Sequence, residues 1–193
     1  MSVVIINYNA GNVQSVTYAL QRLGVEPVLS DDPEVIQSAD KVIFPGVGEA
    51  STAMRFLRER GLDEVIKLLK QPVFGVCLGL QLMCKHSEEN DTDCLGIFDV
   101  EVKKFEPKLK VPQMGWNSLE KMKSLLFDGL QAEPYVYYVH SYYAELSDWT
   151  VAETEYVNRF SAALQKDNFY ALQAHPEKSG KIGEKILANF LHL

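Results

Sequence analysis

The residues best suited to chemistry are Gly75-Val76-Cys77-Leu78-Gly79, which follow the apolar pair Val73-Phe74 and lead into Leu80-Gln81-Leu82-Met83. A small residue two positions either side of a nucleophile, where a strand turns into a helix, is the spacing of a nucleophile elbow. The turn is so tight that a side chain larger than hydrogen at Gly75 or Gly79 meets neighbouring backbone. Cys77 is expected to stand exposed at the first turn of the helix. There, unpaired N–H groups and the positive end of the helix dipole favour the thiolate, the form that attacks carbonyl carbon. A lone cysteine in an apolar run is ordinarily a small buried hydrophobe. Two flanking glycines, each costly in a plain strand or helix start, turn the reading toward a nucleophile.

A cysteine nucleophile needs a base, and the chain offers His86, His140, His175 and His192. His86 is expected on the elbow helix, more than two turns along and pointing away. His192 is the penultimate residue, where fraying is the default. His140, in Tyr138-Val139-His140-Ser141-Tyr142, is a second candidate that reads better as structural. His175 lies in Gln173-Ala174-His175-Pro176-Glu177-Lys178, where Pro176 pushes the residue before it into an extended conformation. In an extended segment residues i and i+2 share a side, which brings Glu177 beside the imidazole. A carboxylate on one ring nitrogen fixes the tautomer and leaves the other to take the thiol proton. His-Pro-Glu alone reads as a surface loop; joined to the elbow it completes a triad of Cys77, His175 and Glu177.

Acyl chemistry also needs donors for the developing oxyanion. The backbone N–H of Leu78 is one, and Val47 and Gly48 in the turn Pro45-Gly46-Val47-Gly48 supply others. That turn lacks the spacing of a phosphate loop. No metal-ligand spacing appears, so neither metal nor cofactor is expected. Cys84 and Cys94 read as structural, Cys84 lying two turns beyond Cys77 on the same helix face. Three cysteines without a C-x-x-C pair suit a reducing compartment, and cytoplasmic localisation is expected.

The elements that must position these groups follow from periodicity. Strands are expected at Val3 to Asn7, Pro27 to Leu29, Lys41 to Phe44 and Val73 to Val76. Between them fall a helix from Asn12 to Leu23 closed by Gly24, one opened by Asp32-Pro33, one carrying Ala50, Met54 and Leu57 up to Gly61, and a shorter one through Val65, Ile66 and Leu69. Such alternation predicts an α/β fold with a mainly parallel, twisted, flavodoxin-like sheet and helices on both faces. Ligand sites on such sheets lie at the carboxyl ends of the strands, where Gly46, Gly48 and Cys77 all fall. From Asp99 onward, Val100 to Phe105, Tyr135 to Val139, Val151 to Thr154, Ser161 to Leu164 and Phe169 to Gln173 read as strands of an antiparallel extension of the same sheet. A last helix spans Lys181 to Leu191.

With 193 residues the chain suits one domain over 1–193, and folding should bury roughly 70% of the unfolded surface. A net charge of −7 argues against phosphate-backbone binding, so nucleic acid is not an expected partner. The one basic run, Lys103, Lys104, Lys108 and Lys110, is broken by Glu106 and Pro107 and reads as a solvated hairpin edge. No stretch is long and apolar enough for a membrane span.

Taken together, Gly-Val-Cys-Leu-Gly-Leu-Gln, Pro-Gly-Val-Gly upstream and His-Pro-Glu downstream resemble the class I, triad-type glutamine amidotransferases. Tyr8 with Gly11-Asn12, Met114-Gly115-Trp116-Asn117, Tyr138-Val139-His140-Ser141-Tyr142 and His175-Pro176-Glu177-Lys178-Ser179 narrow the resemblance to glutaminase subunits of imidazole glycerol phosphate synthase, in histidine biosynthesis. The resemblance implies that Cys77 forms a glutamyl thioester and releases ammonia, with Gly48, Gln81, Glu89, Ser141 and Tyr142 holding L-glutamine. It also implies a heterodimer with a (β/α)8-barrel cyclase subunit, which converts phosphoribulosyl-formimino-AICAR phosphate to imidazole glycerol phosphate and AICAR. Asn12, Met114, Trp116, Tyr137 and Lys178 would lie at the contact. Two positions depart from the family pattern: Asn7 stands where Asp is usual and Gln113 where His is usual. A glutaminase for anthranilate or pyridoxal phosphate synthesis, a stand-alone cysteine hydrolase and a non-catalytic module of the same fold stay open at this point.

Overall fold

The computed structural model describes residues 1–8 and 11–193. Its first half alternates β1 (Val3–Ile6), α1 (Val13–Arg22), β2 (Val28–Ser30), α2 (Pro33–Ser38), β3 (Lys41–Phe44), α3 (Ala50–Glu59), α4 (Leu62–Leu68), β4 (Val73–Val76) and α5 (Leu78–Met83). β3 and β4 span the expected residues, and the neighbouring elements differ only at their ends. The punctuation works as read: Asp32 accepts the Glu34 N–H at 2.8 Å ahead of Pro33, a cap worth about 1 kcal/mol. Gly24 follows α1 at φ +77°.

The second half comprises β5 (His86–Ser87), β6 (Thr92–Asp93), β7 (Glu101–Lys104), β8 (Gln113–Ser118), β9 (Tyr135–His140), β10 (Tyr142–Ala144), β11 (Thr150–Glu155), β12 (Arg159–Lys166), β13 (Phe169–Leu172) and α6 (Gly180–Leu191). Seven strands form the main sheet in the order β11-β12-β13-β4-β3-β1-β2, with β13 parallel to β4 and β12 and β11 antiparallel beyond it. The parallel part has the flavodoxin-like strand order. Both faces are covered, which is why the inner strands are apolar without a polar face. Val3 and Ile5 join the cluster of α1 and α6 (Val16, Leu20, Ile186, Phe190), while Val4 and Ile6 join that of α2, α3 and α4 (Ile36, Met54, Leu57, Ile66). Each such side chain contributes about 1.5–3 kcal/mol by leaving water.

The later elements depart from expectation. Only β11 and β12 form an antiparallel extension of the main sheet, because β13 is itself parallel to β4; β7 lies in a separate sheet ordered β10-β7-β5-β6, and β9 pairs with β8 alone. The burial of β9 explains this: Val136, Tyr138 and His140 are buried and the residues between them are not, so the strand covers the core as an outer layer. β10 pairs with Val102, Lys103 and Lys104 of β7, whereas β5 pairs only with Glu101 and Val102, so the other side of Lys103 and Lys104 carries no strand pairing. Finally, α5 stops at Met83 because Leu95 and Phe98 donate to the Leu82 and Met83 carbonyls that a longer helix would need. Cys84 is extended, and His86 lies on β5 between the carboxylates of Glu101 and Asp91, at 3.2 and 3.0 Å. Among the described residues no helix is long and apolar enough to cross a membrane.

The elbow glycines are set by close backbone approach. A Cβ on Gly79 would run into the Phe44 carbonyl oxygen of β3, and one on Gly75 would lie 2.9 Å from Met83 Sδ. Gly79→Ala should therefore lower stability by about 2 kcal/mol or more, read as a drop in the urea midpoint.

Candidate active site

Cys77 joins β4 to α5 with φ +52° and ψ −103°. Such a left-handed backbone costs a non-glycine residue on the order of 1–3 kcal/mol. It is held by the Cys77 N–H bond to the Leu172 carbonyl of β13, at 2.8 Å, and the Gln81 N–H bond to the Cys77 carbonyl, at 3.3 Å. The expectation of an exposed thiol is corrected. Cys77 is 6% exposed, because the β9–β10 segment folds over it and brings the Val139 carbonyl within 3.7 Å of Sγ. Sulfur is reached through a cavity of about 300 Å³ walled by Val47, Gly48, Leu78, Gln81, Glu89, Ser141, Tyr142 and His175, with Lys178 beside them. Every residue that the sequence put forward for glutamine or for the oxyanion is in that wall.

His175 Nδ1 lies 2.7 Å from Glu177 Oε1, and both side chains are buried. The contact is the expected one; its backbone is not. Glu177 sits in a 3-10 turn, Pro176–Lys178, and only His175 is extended. Proline suits the first position of such a turn, and this feature of Pro176 outweighs the run of extended chain that spacing alone implied. The Asn12 amide donates to the same Glu177 oxygen. The His175 N–H donates to the Tyr137 carbonyl at 2.8 Å. The Ser179 hydroxyl donates to the His175 carbonyl at 2.7 Å and accepts the Tyr137 N–H at 2.9 Å. His175 Nε2 is buried without a hydrogen-bond partner and is thus the nitrogen free for proton transfer. Burial opposes the imidazolium, yet the charge on Cys77 and the bond to Glu177 push His175 up to about 10. The environment favours the imidazolium form of His175.

Around this pair the polar groups are interlocked. Gln81 Nε2 donates to the Tyr142 carbonyl at 2.9 Å and to Gln173 Oε1 at 3.1 Å, and Gln173 Nε2 donates to Cys77 Sγ at 3.5 Å. Gln173 entered the sequence reading only as the last residue of a strand and a flank of His175. Its signal was a polar residue at the carboxyl end of a strand bounding the elbow. Glu89 accepts the Ala50 N–H at the start of α3 at 2.8 Å, and burial raises its carboxyl from the usual range. The Leu78 N–H is engaged by the Gly46 carbonyl at 3.3 Å, a long bond for which a developing oxyanion would compete. The buried Tyr8 hydroxyl donates to the Pro45 carbonyl, so the end of β1 braces that glycine turn.

Of the residues proposed for a partner contact, Met114 and Trp116 are 58% and 55% exposed, and Trp116 stacks edge-on with Tyr137 at 5.8 Å between ring centroids. Lys178 is exposed at the rim of the cavity. Asn12 instead directs its amide to Glu177.

His140 is structural, and its ring meets Gln113. Burial, opposed by the bond to the Tyr142 carbonyl and aided by the charge on His175, lowers His140 to about 4. The neutral ring donates from Nδ1 to the Tyr142 carbonyl at 2.7 Å, leaving Nε2 as an acceptor 2.9 Å from the Gln113 amide. The atom at that distance is Gln113 Oε1; beside a neutral ring the amide has to be reversed so that its NH2 group donates.

A cysteine elbow at the carboxyl edge of a doubly covered parallel sheet, faced by a histidine and a buried carboxylate, defines an acyl-transfer class of site. The chain belongs to the class-I glutamine amidotransferase family, which residues 4–193 match. It is 62% identical over 196 aligned positions to the imidazole glycerol phosphate synthase subunit HisH of Bacteroides thetaiotaomicron, covering 100% of both chains. It is 47% identical, again over 100% of both, to the subunit of that name from Escherichia coli K12. The fold also matches a solved structure of PurLQS from Thermotoga maritima, with a TM-score of 0.75, 17% identity and coverage of 99% of this chain and 97% of that one.

The depressed His140 value fixes the sign of an acid effect. An unfolded chain protonates His140 near 6.5 and the folded one only near 4, so the neutral ring's contribution is full above pH 6.5 and lost as pH falls to about 4. Urea titrations from pH 7 to 4 should show stability falling less steeply in His140→Gln than in the unmodified protein.

Proposed function

We propose that this chain is the glutaminase subunit of an imidazole glycerol phosphate synthase, acting as one amidotransferase domain in the cytoplasm. The observation that carries the reading is the pairing of a buried Cys77 with a His175 whose Nδ1 is held by Glu177 and whose Nε2 is unengaged. Full-length identity to HisH subunits supports the choice of synthase. All three cysteines are free thiols, in keeping with a reducing compartment.

The Cys77 thiolate attacks the side-chain carboxamide carbon of L-glutamine. The N–H groups of Val47, Gly48 and Leu78 take up the oxyanion, and the His175 imidazolium gives its proton to the departing nitrogen, releasing ammonia. A glutamyl thioester remains on Cys77. His175, now neutral, removes a proton from water, which attacks the thioester, frees glutamate and restores the thiolate–imidazolium pair. Glu89 offers a carboxylate to the substrate's ammonium group at the far end of the cavity. Ammonia protonated in bulk water is no longer a nucleophile. The subunit therefore passes it to a docked (β/α)8-barrel cyclase, which produces imidazole glycerol phosphate and AICAR. The exposed face of Met114 and Trp116, continuous through β9 with the cavity wall, suits that docking.

Cys77→Ala should reduce glutamate release by at least about a thousandfold, and Glu177→Gln by about a hundredfold to ten-thousandfold. Glutamate release measured with and without the cyclase subunit and its substrate should rise on mixing; no rise would overturn the assignment to this synthase.

A further inference from the structure

We propose that Gln173 is a further catalytic residue of this site: its amide N–H, aimed by Gln81, holds the Cys77 sulfur as the thiolate. The inference rests on the reading of Cys77 as nucleophile. It comes from a chain of contacts whose polarity is fixed at one end. The Tyr142 carbonyl can only accept, so Gln81 must turn its NH2 group toward it, at 2.9 Å. The same NH2 group donates to Gln173 at 3.1 Å, which obliges Gln173 to present its oxygen there and its own NH2 to Cys77 Sγ, at 3.5 Å. Reversing Gln173 would set two NH2 groups against each other and a carbonyl lone pair against sulfur. Gln81 and Gln173 are 4% and 0% exposed, so water does not replace these bonds.

The nearby protein groups pull the sulfur in opposite directions. The Val139 carbonyl at 3.7 Å stabilises the thiol, since only S–H can donate to it. The Gln173 N–H stabilises the thiolate, which accepts more strongly. The titratable groups around the sulfur are His175 after β13, backed by Glu177; Tyr8 after β1; His140 at the end of β9; and Glu89 and Lys178 at the cavity wall. His175 supplies the countercharge, and Gln173 supplies a donor that carries no proton into the reaction. The donor remains in place when His175 becomes neutral after giving its proton to ammonia, and so it also steadies sulfur as the leaving group when the thioester breaks.

The test is the pH dependence of Cys77 alkylation by iodoacetamide, followed at the Cys77 peptide by mass spectrometry on the full chain. Gln173→Met keeps the bulk and removes the donor. Its alkylation midpoint should move up by about one pH unit, the size expected for a lost hydrogen bond to a charged group. Gln173→Glu keeps the shape and puts a carboxylate beside the sulfur, and its midpoint should move further up. If Gln173→Met fails to fold, Gln173→Glu decides. An unchanged midpoint in a folded variant overturns the proposal, because a role confined to packing would leave the titration where it was. Glutamate release by Cys77→Ala is measured alongside: retained release there defeats the nucleophile assignment, while abolished release with an unmoved Gln173 midpoint defeats this inference alone.

Discussion

The approach of α5 to the backbone of β3 is the constraint on which the site depends. With no side chain on Gly79, the first turn of α5 lies against the Phe44 carbonyl, and the connection from β4 has to reverse within one residue. That residue is Cys77, forced to φ +52°. The strain is sustained because β4 is an inner strand, paired on both sides by β3 and β13, and its ends cannot drift. Were α5 to stand off, Cys77 could relax toward ordinary helix geometry and its sulfur would leave the line of His175 and Gln173.

Much of this was legible from residue order. Glycines at 75 and 79, Asp32-Pro33 and Gly24 each carry a local steric or capping message that the fold leaves unaltered, and the apolar runs of β3 and β4 mark strands buried on both faces. What was not legible depended on contacts distant in the chain. α5 ends at Met83 because Leu95 and Phe98 claim its last carbonyls, a competition invisible in the helical spacing of Leu80 to Cys84. β7 and β9 alternate between buried and less buried residues, unlike the inner strands of the main sheet. Their place in outer layers follows from which surface remained uncovered, a property of the assembled core.

The candidate site divides in the same way. Cys77, His175 and Glu177 announce themselves through glycine and proline neighbours, which restrict backbone choices locally. Gln173 has no such neighbour, and its importance lies in an oxygen and a nitrogen whose orientation is dictated by Gln81 and Tyr142. Asn12 was read as a docking residue, but its amide meets Glu177, turning one end of α1 into part of the charge system. The cavity wall is assembled from α5 and from the segments that follow β3, β4, β9 and β13, which come together at one edge of the main sheet.

Asn12 and Glu177 stand 165 positions apart, and Cys77 and Gln173 are separated by 96. During synthesis, Cys77 leaves the ribosome long before Gln173, His175 or Glu177. Until β13 inserts beside β4, the groups that surround the sulfur in the folded chain are not gathered around it. The pocket around Cys77 is thus a late product of the chain, complete only when the last parallel strand pair has closed.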